Sequence, residues 1–297
     1  MINGSGLRKL IANILPQGLR KFVPRSVSKH LYFNGTFPVN LGNGKFLVLQ
    51  ANGFILENEV FFYGIRGGHE KRAMKIWLEF CEKYQPAQVY DIGANTGIYG
   101  LVAKALSRNS HISFFEPISR AIEILEQNIE LNDYEASVFQ LALSNYDGEG
   151  YFFLQDGNDF AYSVTLNTHA DLAITGIHNE DTLNSKVSTP VKQIATLLKN
   201  GEVEKPNLVK MDVETHESEV LEGFGFDLSE VSAFLVEVLN DLAAEKLNAI
   251  FKDLGFDFYH VDDLHDNVVK RDKIYASMNY NYFIVRPSFA HEMQTLK

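Results

Sequence analysis

The chain has 297 residues, 45% of them apolar and 22% charged, enough to bury one substantial core. Its net charge of −11 excludes a general nucleic-acid binder, which needs clustered cations facing phosphates. A single cysteine, Cys81, excludes an internal disulfide and a Cys-based zinc site, and fits a reducing, cytoplasmic compartment.

Charge is unevenly spread. Arg8, Lys9, Arg20, Lys21, Arg25, Lys29 and Lys45 all precede the first acid, Glu57. This basic front segment offers a surface to an anionic substrate or, peripherally, to the inner face of a membrane. The plainer reading is a solvated helix packed on its own domain or on a partner subunit of a homo-oligomer. No apolar run is long enough to cross a bilayer, and basic residues and Pro16 interrupt residues 7–23, unlike a secretory signal. Leu7, Leu10, Ile11, Ile14 and Leu15 form a helical stripe that stops at Pro16. Residues 46–50 and 60–63 read as strands, with Ala51-Asn52-Gly53 as a turn, giving a small β element ahead of the main domain.

Residues 70–84 have helical apolar spacing at Ala73, Ile76, Trp77 and Phe80. Strands follow at 88–92, 111–115, 138–141, 208–211 and 233–238, with late strands at 257–260 and 282–285. Between them, helices run to about Leu106 and over 119–131, 191–198, 218–224 and 242–254, while 151–154 extends a sheet edge. Residues 156–188 are long, polar and weakly patterned, as expected of a substrate-side loop. The alternation implies a doubly wound α/β fold, a mostly parallel sheet with helices on both faces. Such sheets bind ligands beyond the carboxyl ends of the strands, where strand order reverses.

The chemistry-bearing residues fall at those ends. Asp91-Ile92-Gly93-Ala94-Asn95-Thr96-Gly97 is a strand followed by a Gly-rich turn. A dinucleotide site would place pyrophosphate at the next helix N-terminus, where the Asp91 carboxylate would repel it. S-adenosylmethionine instead carries a sulfonium and an ammonium, both welcomed by an acid. The plainer alternative is Asp91 capping that helix. Glu116-Pro117 ends the next strand, and a carboxylate there can accept both ribose hydroxyls. The plainer alternative is a solvated Glu at a helix start. Ala142, after the third strand, leaves room for a flat base. Lys210-Met211-Asp212-Val213-Glu214-Thr215-His216-Glu217 follows the fourth strand, and Glu237 interrupts the apolar fifth. Buried acids are rare unless paired or functional, and a salt bridge to Lys210 is the plain explanation for Glu237.

These residues resemble the FkbM family of S-adenosylmethionine-dependent methyltransferases. The family's D-x-G-A-N-x-G matches 91–97 and its E-P matches Glu116-Pro117. Its later Asn is similar to Asn128 or Asn132, and its A-L-S matches Ala142-Leu143-Ser144. Its K-x-D-V-E-G-x-E-x-x-V-L-x-G matches 210–223, with Thr215 where the family has Gly, and its E-V matches Glu237-Val238. The resemblance implies a doubly wound, seven-stranded Rossmann-like methyltransferase domain over 69–297, behind an N-terminal helical and β extension over 1–68. It implies S-adenosyl-L-methionine as cofactor, held by Asp91, Gly93, Asn95, Thr96, Gly97, Glu116, Pro117, Ala142 and Asp212. It also implies O-methylation of a sugar, glycan or secondary-metabolite hydroxyl.

Such a hydroxyl needs a proton acceptor. His216 is the first candidate base, since its ordinary pKa lies near neutrality, followed by Glu214 and Glu237. Asp212 holds the methionine end of the donor or the acceptor. No metal is expected, although Asp212, Glu214 and Glu237 offer hard oxygens to a divalent ion. Glu70 and Ser163 are further lining candidates by position, and Thr215 is a candidate helix cap. Two other classes compete. A nicotinamide-dependent oxidoreductase is disfavoured by Asp91 and by the missing third glycine. A non-catalytic binding or interaction protein on the same fold would explain Thr215.

Overall fold

The computed structural model describes residues 16–31, 33–52, 55–68, 70–155, 166, 183–276 and 281–297. The predicted stripe over 7–15, the turn at Gly53, Ser163 and most of the predicted loop lie outside the described residues.

Two short helices, α1 (Gln17–Arg20) and α2 (Arg25–Ser28), lead into a hairpin of β1 (Asn34–Gly42) and β2 (Lys45–Asn52). The chain then forms α3 (Ile55–Tyr63). Residues 60–63 are therefore helical rather than a strand. Val60, Phe61 and Phe62 are strand formers by local preference, but all three are buried among neighbouring elements, and packing overrides a weak propensity. Helix α4 (Lys71–Tyr84) buries the expected stripe, with Ala73, Ile76 and Trp77 fully inaccessible. It stops at Gln85, whose left-handed conformation (φ 46°) returns its N–H to the Cys81 carbonyl.

The main sheet comprises β3 (Gln88–Ile92), β4 (His111–Phe115), β5 (Ser137–Phe139), β9 (Leu208–Met211), β10 (Ala233–Glu237), β11 (Asp257–Asp262), β12 (Asn267–Arg271) and β13 (Asn281–Val285). Their order is β12-β11-β13-β10-β9-β3-β4-β5. This is a seven-strand sheet with one added edge strand. β12 escapes the sequence reading because Val268 and Val269 are its only apolar residues. β13 runs antiparallel between β10 and β11, while β5, β4, β3, β9 and β10 are parallel.

Alternation along each strand feeds two cores. Val89, Phe114, Leu235 and Phe283 face one cluster with Trp77 and Leu101. Tyr90, Phe115, Phe234, Val236 and Ile284 face the other, with Val220, Leu247 and Phe251. The covering helices are α4, α5 (Ile98–Leu106) and α6 (Ser119–Leu131) on one face, and α7 (Ile194–Lys199), α8 (Glu217–Glu222) and α9 (Asp241–Phe251) on the other. The hairpin joins the first cluster through Val39, Leu47 and Leu49. Asn128 of α6 and Asn132 at its C-cap clamp it, accepting the Gln50 and Val48 N–H groups at 2.7 Å each.

A second, three-stranded sheet holds β6 (Ala142–Leu143), β7 (Gly148–Gln155) and β8 (Leu183–Lys192) in the order β6-β8-β7. Residues 183–188, predicted as loop, and 191–192, predicted as helix, are therefore strand. Burial of Thr189 and Val191 around exposed Pro190 shows the period of two, and the helix begins only at Ile194. The third strand likewise ends at Phe139. Among the described residues no helix is long and apolar enough to cross a membrane.

Candidate active site

β3 lies between β4 and β9, so the connections leave it in opposite directions and open a crevice above its end. Gly93, with φ 70°, turns the chain there, and a Cβ on it would overlap the Asp212 carbonyl oxygen. A Cβ on Gly97 would overlap Leu125. The close approach these glycines permit is thus protein on protein. Asp91 is buried, and its Oδ2 accepts the Gly100 N–H in the first turn of α5 at 2.7 Å. The capping role and the position on the crevice coexist. Burial raises its carboxyl to about 7, against the pull of the Gly100 N–H and Lys210.

At the end of β4, Glu116 is buried rather than solvated. Its Oε2 accepts the Asn95 N–H at 2.8 Å and its Oε1 the Ile118 N–H at 2.9 Å. These bonds fix the carboxylate plane and leave each oxygen a lone pair, the geometry two neighbouring hydroxyls need. Burial raises this carboxyl to about 7 as well. Ala142, Leu141 and Leu143 line the crevice beyond it with apolar surface.

The other end is acidic. Asp91 and Lys210 are register partners on β3 and β9. Lys210 is buried, with its Nζ 3.3 Å from Asp212 Oδ2 and 5.1 Å from the Tyr99 ring centroid. Burial alone would lower its ammonium, but Asp212, then Glu70, Glu237 and Asp91, outweigh it and hold it above its ordinary value. Carboxylate oxygens of Glu70, Asp212 and Glu237 lie within 4.8 Å of one another. Glu214, grouped with Asp212 and Glu237 in the sequence reading, is replaced in that trio by Glu70, which also accepts the Tyr99 hydroxyl at 2.8 Å. Burial, then Asp212, Glu214 and Glu70, hold Glu237 well above the usual carboxylate range. Burial, Asp212 and Glu217 push Glu214 to about 8.

The loop after β9 is built on two left-handed residues, Glu214 (φ 54°) and Thr215 (φ 77°). Buried Glu217 holds it, its Oε1 accepting the Val213 and Thr215 N–H groups at 3.2 Å each. Thr215 is not the helix cap. His216 occupies the N-cap position of α8, and its side chain does not cap. Its Nε2 lies 2.9 Å from Ser144 Oγ, and its Nδ1 4.0 Å from Glu219 Oε2.

A crevice of about 330 Å³ joins these ends. Asp91, Gly93, Asn95, Glu116, Pro117, Ala142, Asp212, Glu214, His216, Glu237 and Glu70 all line it. Thr96 and Gly97 shape the turn from behind. Tyr99 and Glu57 are among the lining residues that sequence reasoning missed. Glu57 had a signal, as an acid among the apolar residues of 55–63, but a strand reading hid it. Among the described residues, seven acids line the crevice against one lysine, Lys210. Among the described residues, this excess of acids opposes a pyrophosphate and suits a cationic nucleoside.

Fold and crevice together define a Rossmann-like protein of the methyltransferase class. The family model described as the methyltransferase FkbM domain matches residues 91–266, and the chain belongs to that family. Its cofactor is S-adenosylmethionine. Hexuronic acid methyltransferase AglP of Haloferax volcanii is 28% identical over 171 residues, covering 57% of this chain and 62% of that protein. The match therefore spans under two thirds of that relative. Methyltransferase sdnD of Sordaria araneosa is 28% identical over 190 residues, covering 57% of this chain and 73% of that protein. Among solved structures, a SAM-dependent methyltransferase from Agrobacterium tumefaciens aligns with a TM-score of 0.44 at 11% identity, covering 86% of this chain and 71% of that one.

Proposed function

We propose that the protein O-methylates a hydroxyl group of a sugar, glycan or secondary metabolite. The observation that carries this reading is the concentration of Glu70, Asp212, Glu214 and Glu237 around Lys210 at the end of the crevice away from Ala142. Carboxylates accept hydrogen bonds from hydroxyls and repel an anionic acceptor.

Bound S-adenosylmethionine supplies an electrophilic methyl group on sulfur. The chain's own work is to orient an acceptor oxygen in line with it and to take that oxygen's proton. Glu237 is the better-supported base. Its raised affinity for a proton makes it a strong acceptor once ionised, and a cation bound beside it favours the ionised form. His216 ranks second, because Ser144 already engages its Nε2. Asp212 keeps Lys210 charged and, with Glu214, positions the acceptor.

The test supplies purified protein with methyl-labelled donor and a panel of neutral glycosides and uronates. Label in an alkali-stable ether supports the proposal. Label released by mild alkali marks a carboxyl ester and overturns hydroxyl transfer. Glu237→Gln should keep donor binding by calorimetry and lose turnover; turnover lost in His216→Ala but kept in Glu237→Gln would reverse the assignment of the base.

A further inference from the structure

The buried acid Glu57 lies on α3, outside the span matched by the family model, yet it lines the crevice. It is wholly inaccessible to solvent. Its Oε1 accepts the Thr96 hydroxyl, from the turn that follows β3. Among the described residues, its Oε2 has no hydrogen-bond partner. A buried carboxylate oxygen without a donor is unfavourable and rare in native structures. Its carboxyl is raised above the usual range by burial, with the Thr96 bond and its own backbone N–H pulling the other way.

Strand order decides which part of the donor meets it. The apolar base pocket lies by Ala142, and the diol-accepting Glu116 ends β4. The next turn along the crevice, after β3, is the one Glu57 grips through Thr96. Beyond the ribose, a nucleoside donor carries its amino-acid arm. An α-ammonium group brings three N–H donors and a positive charge, the two things the unpaired oxygen lacks.

We infer that Glu57 receives the α-ammonium group of the donor's methionine arm, so that the segment ahead of the matched domain completes the cofactor site. The inference rests on the methyltransferase reading above. The neighbouring framework is already tied down. Asn128 Nδ2 donates to the Thr96 carbonyl at 3.1 Å, while Asn128 Oδ1 accepts the Gln50 N–H. The turn that Glu57 grips is therefore held in place from behind.

The test is calorimetry with S-adenosylhomocysteine and with 5′-methylthioadenosine, which keeps the nucleoside and thioether but lacks the amino-acid arm. Glu57→Gln retains an acceptor for Thr96 and removes the charge. It should weaken S-adenosylhomocysteine by about 10- to 100-fold, the range of a charged hydrogen bond, and change methylthioadenosine less than about twofold. Equal loss on both ligands, or no loss on either, would overturn the inference in favour of a purely structural Glu57. Wild-type protein that binds neither ligand would overturn the donor reading itself. Should the variant fail to fold, the unaltered protein decides. It should prefer S-adenosylhomocysteine to its desamino analogue by about tenfold or more, and equal affinity sinks the inference.

Discussion

Gly93 and Asp212 touch across the crevice floor: a Cβ on Gly93 would overlap the Asp212 carbonyl oxygen. The ends of β3 and β9 are thereby locked together, and the spacing between Asp91 and Asp212 is set by backbone contact rather than by side chains. Gly93→Ala must push these turns apart and must also hold alanine at φ 70°. Overpacking and a left-handed alanine each cost about 1–3 kcal/mol. The expected outcome is a lower melting temperature together with loss of S-adenosylhomocysteine binding by calorimetry. Wild-type affinity in this variant would show that the contact does not set the site.

Thr215 is the converse case. At φ 77° it occupies a conformation that costs a β-branched residue about 1–3 kcal/mol, and glycine removes that cost at a smaller entropic one. Thr215→Gly should therefore raise stability by about 0.5–2 kcal/mol, read as an upward shift of the urea midpoint. Thr215→Ala keeps the strained φ and should bring no such gain. A lower midpoint for the glycine variant would mean that the threonine side chain outweighs the strain.

This position also shows how far the sequence was legible. The departure from glycine at 215 was visible in the motif, but its physical meaning, a left-handed φ, appears only in the folded loop. Strand ends were readable because Asp91, Glu116 and Asp212 close short apolar runs, and ten of the twelve residues predicted to bind or catalyse near them line one crevice, with Thr96 and Gly97 in its turn. What the sequence hid was set by distant packing. Residues 60–63 favour a strand locally and become helix because both flanks are buried. Glu57 reaches the site only through that helix. Glu70 joins Asp212 and Glu237 although more than 140 residues separate it from either, a pairing no local pattern carries.

Asn128 couples the hairpin to the cofactor loop. It is fully buried, and its amide bridges the Gln50 N–H at 2.7 Å and the Thr96 carbonyl at 3.1 Å. Asn128→Ala leaves both groups without their partner, at about 1–3 kcal/mol each. Urea unfolding should show a loss of about 2–4 kcal/mol, and donor binding should weaken with it as the turn at Thr96 loosens. Asn128→Asp keeps one acceptor and should fall between the two. A loss of stability with unchanged donor affinity would uncouple the hairpin from the site.

The raised carboxyls give the unliganded protein a direction in pH. Asp91, Glu116 and Glu217 are held at about 7 and Glu214 at about 8, against ordinary values of 3.8 for Asp and 4.5 for Glu. In this window the folded chain binds protons that the unfolded chain has released, so its stability falls as pH rises. The contribution is complete below about 4 and is lost as pH climbs through 7 and 8. A cationic ligand reverses the preference, since it pairs with the ionised forms. Between pH 6 and 8 the unliganded melting temperature should therefore drop, while affinity for S-adenosylhomocysteine rises by about tenfold or more. Glu217→Gln, which keeps an acceptor for Val213 and Thr215 but cannot titrate, should flatten the stability slope. An affinity that stays level or declines across this range would mean that the acids lining the crevice are already ionised before the ligand arrives.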